Sequence, residues 1–323
     1  MKRPPLSLSS ARLAGGLDSL GVAQSAGTVL QAPALPHAAS AVRVRRRGAF
    51  SVLPGFGPAL GCTLVYLSLV VLIPLSALAL EALQLAPARI LALLDSPRVL
   101  AAFRVSLGCA CAAALAAGAL GLLVAWVMVR HDFPGRKLLD ALIDLPFALP
   151  TAVAGIVLTT LYSPKGWLGQ WFAPWGIKIA YTPLGIVMAL IFIGLPFVVR
   201  TVQPVLQELD PALEEAAASL GAGRGHVFRR VILPNILPAL LTGFALAFAR
   251  GVGEYGSVIF IAGNMPMRSE IVPLLIVTQL QQFDYAGATA IALAMLAVSF
   301  TLLLLINLLQ AWTRRNTGKE GRK

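Results

Sequence analysis

Six stretches of this chain are each long and apolar enough to cross a lipid bilayer, more greasy surface than a water-soluble fold can hide. Crossing a hydrocarbon layer of about 30 Å takes about 20 helical residues. The first stretch covers 60–80, LGCTLVYLSLVVLIPLSALAL, and the second 105–129, VSLGCACAAALAAGALGLLVAWVMV, both without a charge. The others cover about 145–164, 179–199, 235–262 and 286–313, and charge interrupts only the fifth, at Arg250 and Glu254. With 58% hydrophobic and 12% charged residues overall, the expected fold is an all-α polytopic bundle of about six spans. Pro74, Pro146, Pro150, Pro196 and Pro238 predict kinks that neighbouring helices accommodate. The small residues from Ala112 to Gly121 predict close helix approach.

Lys and Arg set the expected orientation. Of the 26, nineteen fall before the first run, at 130–137, at 200–230 and after Trp312, whereas Arg89, Arg98, Arg104, Lys165, Lys178 and Arg268 fall on the alternate side. Both termini and the 200–230 segment are therefore expected in the cytoplasm. The net charge of +12 is accounted for by topology, and no nucleic-acid partner is expected. Residues 1–48 lack a helical or strand period and end in Arg45-Arg46-Arg47; they read as a disordered cytoplasmic tail. Lys2 and Arg3 are not followed by the apolar core of a cleaved signal. Residues 314–323 read as a basic cytoplasmic tail.

The three cysteines, Cys62, Cys109 and Cys111, lie in apolar runs, and His37, His131 and His226 are scattered, so neither a disulfide framework nor a metal site is expected. A membrane-embedded enzyme would need a cluster of nucleophile, base or metal ligands, which these residues do not offer. An ion-coupled secondary transporter would show carboxylates in several spans and an internal repeat; here Glu254 is the main deep acid.

Between the fourth and fifth runs lies a polar helix-turn-helix, EAAASLGAGRGHVFRRVILP (215–234). Asp210 is suited to cap its first helix and Pro211 to begin it, with Glu214 and Glu215 near the positive end of the helix dipole. Gly221 ends that helix as a left-handed cap. Ala216, Ala217 and Ala218 leave a smooth face, and His226 to Val231 mixes basic residues with Phe228. Leu233-Pro234 is expected to turn the chain back into the membrane, leaving a compact knob over 210–234. A Glu-Ala-Ala triplet alone is common on ordinary amphipathic helices, so the weight falls on the spacing from Glu215 to Gly221 to the Val231-Ile232-Leu233-Pro234 ending.

That spacing resembles the EAA loop of the membrane subunits of ABC importers, with Val231 where the pattern has Ile. DLPFALPTAVAG (144–155), PFVVRTVQPVLQELDPALEEAAASLGA (196–222), GEYGSVIFIAGN (253–264) and QQFDYAGATAIA (281–292) further resemble the T-type permease subunit of sulfate/thiosulfate ABC transporters, over roughly Leu53 to Thr313. Molybdate and tungstate permeases carry similar patterns. The resemblance implies a type I importer transmembrane domain over 49–313. It also implies a second homologous permease subunit, a periplasmic sulfate/thiosulfate-binding protein and two copies of a cytoplasmic ATPase docking on Glu215, Ala216, Ala217, Gly221, Phe228, Leu233 and Pro234. No G-x-x-x-x-G-K-[ST] loop occurs, so no cofactor is expected on this chain, and ATP and Mg would be used by the partner ATPase.

Arg250 and Glu254 are four residues apart and share a helical face. They would either pair to hold a broken helix beside Gly251 and Gly253, or Arg250 would also line the anion path. Asp144 reads as a boundary residue or helix cap. Arg104 would dock the binding protein or snorkel to the interface, and Phe283-Asp284-Tyr285 would begin a span at an aromatic belt.

Overall fold

The computed structural model describes residues 56–83 and 87–320, all in helices and their connections; among the described residues there is no strand. The tail expected over 1–48 lies outside the described residues.

The first apolar run is one rod: α1 (Phe56–Leu67), a π-helical turn (Ser68–Leu72) and α2 (Ile73–Leu83). The π turn contains Val70, the residue four before Pro74. A proline ring clashes with the carbonyl four residues back, and a widened turn relieves that clash without breaking the rod. After the short α3 (Pro87–Leu94), α4 (Pro97–Arg130) runs for 34 residues, or about 50 Å at 1.5 Å per residue. Ser96 caps it by accepting from Val99 N at 3.3 Å, and Pro97 occupies the first turn. This cap places the helix start two turns before the apolar run expected at 105–129.

The third expected span, 145–164, is interrupted. It divides between α5 (Arg136–Ala148) and α6 (Thr151–Tyr162), whose axes are bent by 114°. Leu149 is held extended, at ψ 135°, because a residue before proline is driven out of the helical region; Pro146, by contrast, sits inside α5. Among the described residues there are thus five helices long and apolar enough to cross a membrane, or six if this bent pair counts as one crossing.

Beyond α7 (Gly169–Phe172), α8 (Pro183–Glu208) stays helical through Pro196 and Pro204. Next come α9 (Pro211–Ser219), α10 (Arg224–Val227), a second π turn (Phe228–Ile232) and α11 (Leu233–Val252). The expected turn at Leu233-Pro234 is absent: Arg224–Val252 is one continuous helix. The π turn contains Arg230, four residues before Pro234, so the proline of this loop is absorbed in the same way as Pro74. The fifth run, expected to reach 262, stops at Val252, followed by a turn through Glu254 and the short α12 (Val258–Ile261). Then come α13 (Val272–Gln281) and α14 (Tyr285–Glu320), whose backbone continues past the expected end at 313.

The core is formed by α4, α8 and α11. Along the middle of α4, between Val99 and Met128 near its ends, the buried positions are small: Ala110, Ala113, Ala114, Ala117, Gly118, Gly121 and Ala125 among them. A Cβ added at Gly243 of α11 would lie 2.8 Å from Val198 Cα of α8, so these two backbones touch. Similarly, a Cβ at Gly155 of α6 would collide with the backbone oxygen of Ser257. The outward positions are large and apolar, Val65, Tyr66, Leu115, Leu123 and Phe300 among them.

Gly155→Ala is expected to destabilise the protein by about 1–3 kcal/mol through overpacking against fixed backbone. Gly108→Ala, where nothing lies within 4 Å of the added carbon, should leave the thermal unfolding midpoint in detergent unchanged or slightly raised.

Candidate coupling loop and intramembrane ion pairs

The loop between α8 and α11 is built by local rules. Asp210 Oδ1 accepts from Ala212 N at 2.9 Å and Pro211 starts α9. The helix stops at Gly221, which lies at φ 84°. Gly221 N donates to Ala218 O at 2.9 Å and Ala222 N to Ala217 O at 3.1 Å, the paired bonds of a Schellman cap. The chain then re-enters helix at Arg224.

Of the residues the sequence assigns to this loop, Glu215, Ala216 and Gly221 are exposed, while Ala217, Phe228, Leu233 and Pro234 are half-buried. Phe228 packs inward, with its ring edge-on to Trp126 of α4 at 5.6 Å between centroids. Glu214 and Glu215 diverge. Glu214 pairs with Arg130 Nη2 at the end of α4, whereas Glu215 enters none of the ion pairs found among the described residues. Successive helical residues are 100° apart, so one carboxylate turns toward the bundle and the other outward. Leu220 at the tip is 89% exposed, a large apolar side chain that the motif did not point to because the pattern leaves that position open. Between α9 and the stem, Trp126, Glu214, Glu215, Ala218, Ala222 and Phe228 line an open groove of about 410 Å³.

At the other end of α11 the second constellation is compact. Arg250 Nη1 lies 2.5 Å from Glu254 Oε2, whose side chain is only 2% exposed. Glu254 Oε1 accepts from both Ser257 N and Ser257 Oγ at 3.0 Å. One carboxylate oxygen therefore faces the last turn of α11 and the other the first residues leading into α12, so Glu254 bridges the break. Arg250 and Glu254 do not approach the loop residues: they occupy opposite ends of α11.

Two other clusters escaped sequence reasoning. Arg98 in the first turn of α4 donates through Nε and Nη2 to the two oxygens of Glu270, at 2.8 and 2.7 Å, and Glu270 is 3% exposed. Arg200 of α8 donates to Asp144 through Nε at 2.9 Å and Nη2 at 2.6 Å, and to Asp140 Oδ1 at 2.9 Å. Asp144 is thus an interior residue of α5 that pairs across helices, contrary to the boundary or capping role expected of it. The separations, 172 and 56 residues, leave no local signal except the four-residue spacing that puts Asp140 and Asp144 on one face of α5. Arg104 is exposed and in none of the ion pairs among the described residues. Asp284 accepts from Gly287 N at 3.0 Å and caps α14, with Phe283 left-handed before it and exposed.

A bundle of apolar helices that carries one capped, exposed helix between its spans is the form that the resemblance to an importer permease leads one to expect. Comparison with known proteins agrees. Residues 117–319 match the binding-protein-dependent transport system inner membrane component. The sulfate transport system permease protein CysT of Escherichia coli (strain K12) is 52% identical over 260 residues, covering 80% of this chain and 94% of its own length. The protein of the same name from Synechococcus elongatus is 53% identical over 256 residues, covering 79% and 92%. A bacterial ABC transporter involved in the import of alginate shares the fold, with a TM-score of 0.65 at 18% identity over 80% of this chain and 94% of the other. The chain belongs to the family of binding-protein-dependent transport system inner membrane components, as an ABC importer permease subunit of the CysT type. As a permease it is not itself the catalytic subunit.

Arg250→Met would leave the Glu254 carboxylate buried without its counter-charge. The expected loss is about 2 kcal/mol, below the roughly 3–5 kcal/mol of a fully buried broken pair because Arg250 is half-exposed. Adding Glu254→Gln should recover most of that loss in thermal unfolding, since an amide keeps the Ser257 bonds without the charge. A double variant no more stable than Arg250→Met would show that the pair does not hold the break.

Proposed function

We propose that this chain is a membrane-spanning subunit of an ATP-driven importer of sulfate, with thiosulfate as a second substrate. The observation that carries the proposal is the pairing of an exposed, Schellman-capped α9 with 52% identity across nearly the whole length of a sulfate transport permease. In this reading a periplasmic binding protein delivers the anion, and a second homologous permease subunit completes the path. Two copies of a cytoplasmic ATPase use ATP and Mg. The α9 end of the bundle faces the cytoplasm, as do both termini, in keeping with the arginines of that end, Arg130, Arg224, Arg229 and Arg230.

The ATPase would grip α9 by its outward features. Glu215 offers an exposed carboxylate, Ala216 and Ala218 are exposed positions without side-chain bulk, and Leu220 offers an apolar tip. Closure of the ATPase dimer displaces α9, and the helices attached to it move as levers between inward- and outward-open states. Arg250 would meet the anion only in passing, since its charge is already engaged by Glu254; release then needs no strong bond to be broken.

Radiolabelled sulfate uptake in cells lacking their own permease genes, supplied with this chain and its partner subunits, tests the function. Uptake should stop when the ATPase is disabled although the ion gradient persists, and excess thiosulfate should compete where molybdate does not. Uptake that survives ATPase loss and collapses with the gradient would instead mean ion-coupled transport. Gly221→Val should reduce co-purifying ATPase about tenfold, because a β-branched residue in the left-handed region costs roughly 1–2 kcal/mol and distorts the cap. Gly223→Ala, at φ −68° with open space around it, should bind ATPase normally.

A further inference from the structure

We infer that Arg130 and Trp126 are positioning residues that make α4 a lever between the ATPase-contacting loop and the opposite end of the bundle. This inference rests on the reading of α9 as the ATPase contact.

Chain connectivity joins α9 to α8 and, through Gly221 to Gly223, to the stem of α11. It does not join it to α4, yet the last two turns of α4 hold both halves of the loop. Arg130 Nη2 donates to Glu214 Oε1 on α9, across 84 residues of sequence. Trp126, one turn earlier, packs against Phe228 on the stem at an interplanar angle of 78°. The Arg130 guanidinium also lies 5.4 Å from the Trp126 ring centre, so one cation is shared between the carboxylate of one half and the aromatic ring that holds the other. Arg130 and Glu214 are 24% and 27% exposed; this shielding keeps their attraction from being screened away as it is at open surface. Arg130 Nε is buried and has no hydrogen-bond partner among the described residues; the contacts that orient the side chain are those with Glu214 and Trp126.

The far end of α4 is fixed as firmly. Arg98 makes its two-pronged contact with Glu270, and Ser106 Oγ accepts from Val272 N at 2.8 Å. Both bonds tie α4 to the segment that starts α13. Between the two clamps α4 carries Gly108, Gly118 and Gly121, much as α8 and α11 carry glycines of their own, but it has no internal proline and no π turn. By contrast, α8 contains Pro196 and Pro204, and the α10–α11 rod contains a π turn and Pro238. Prolines and π turns are where helices bend, so the helix without a direct chain link to α9 is the stiff one. A displacement of α9 reaches the Glu270 segment along α4 with less lost to bending than along either covalently attached helix.

The test uses the whole complex in proteoliposomes, with three readings: ATPase co-purified, binding-protein-stimulated ATP hydrolysis, and sulfate imported per ATP. Arg130→Glu should retain the ATPase and its hydrolysis but import at least tenfold less sulfate per ATP. The charge-swapped Arg130→Glu/Glu214→Arg should return to within about threefold of wild type. Glu214→Gln, which preserves shape, provides a milder variant and should lower import per ATP several-fold. Wild-type import per ATP in Glu214→Gln or Arg130→Glu would overturn the lever, as would a charge swap that recovers nothing. A wild-type complex that shows no ATP-driven import would remove the functional reading itself and the lever with it.

Discussion

Backbone contact between α4, α8 and α11 is the constraint on which the rest of the structure depends. In lipid, a leucine side chain gains little by leaving hydrocarbon for another helix, so the hydrophobic effect that drives soluble cores does not bring spans together. What remains is dispersion between closely apposed surfaces and polar contacts that have nowhere else to go. The alanines and glycines buried along α4 and the contact of Gly243 with Val198 Cα supply the first. Large residues would hold the backbones apart and forfeit it, and they are placed instead on the outward surface, where lipid receives them.

Polar groups supply the second, two of the pairs at sites where helices begin or break and a third between the interiors of two helices. Glu254 bonds to both sides of the gap between α11 and α12, Glu270 joins two helix starts, and Arg200 ties α8 to α5 just before the Pro150 bend. Helix interruptions expose backbone groups that lipid cannot satisfy, so a charge pair at such a site both needs the protein environment and stabilises it. The π turns achieve a milder version of the same end, keeping the rods continuous past Pro74 and Pro234 without any charged partner.

The sequence was informative wherever the determining physics is local. Apolar run length marked the helices, Asp210 and Pro211 marked the start of α9, and Gly221 marked its end, because each depends on a few neighbouring residues. Proline was the ambiguous signal: Pro196 and Pro204 lie within an intact helix, Pro150 breaks one, and Pro234, expected to turn the chain, is accommodated by a π turn. Which outcome occurs is decided by packing across helices. The pairs Arg98 with Glu270 and Arg130 with Glu214 were illegible for the same reason, since their partners meet only when distant segments are already in place. A count of arginines by side registers their sign without revealing which are neutralised.

Glu214 and Glu215 show how much this tertiary information changes the meaning of a motif. In the sequence they are adjacent acids at the start of one helix, equivalent by charge and by position relative to the dipole. A 100° rotation between them directs Glu214 to Arg130 of α4 and leaves Glu215 in the open. If both faced outward, α9 would be attached to the bundle only through its chain ends, and a partner pulling on it would first take up the slack of those connections. If both faced inward, the exposed surface would offer alanine and Leu220 without a charge to orient the contact. One acid in each direction lets the same short helix be held by its own bundle and gripped from outside, as a contact that passes force from a moving partner to a fixed span requires.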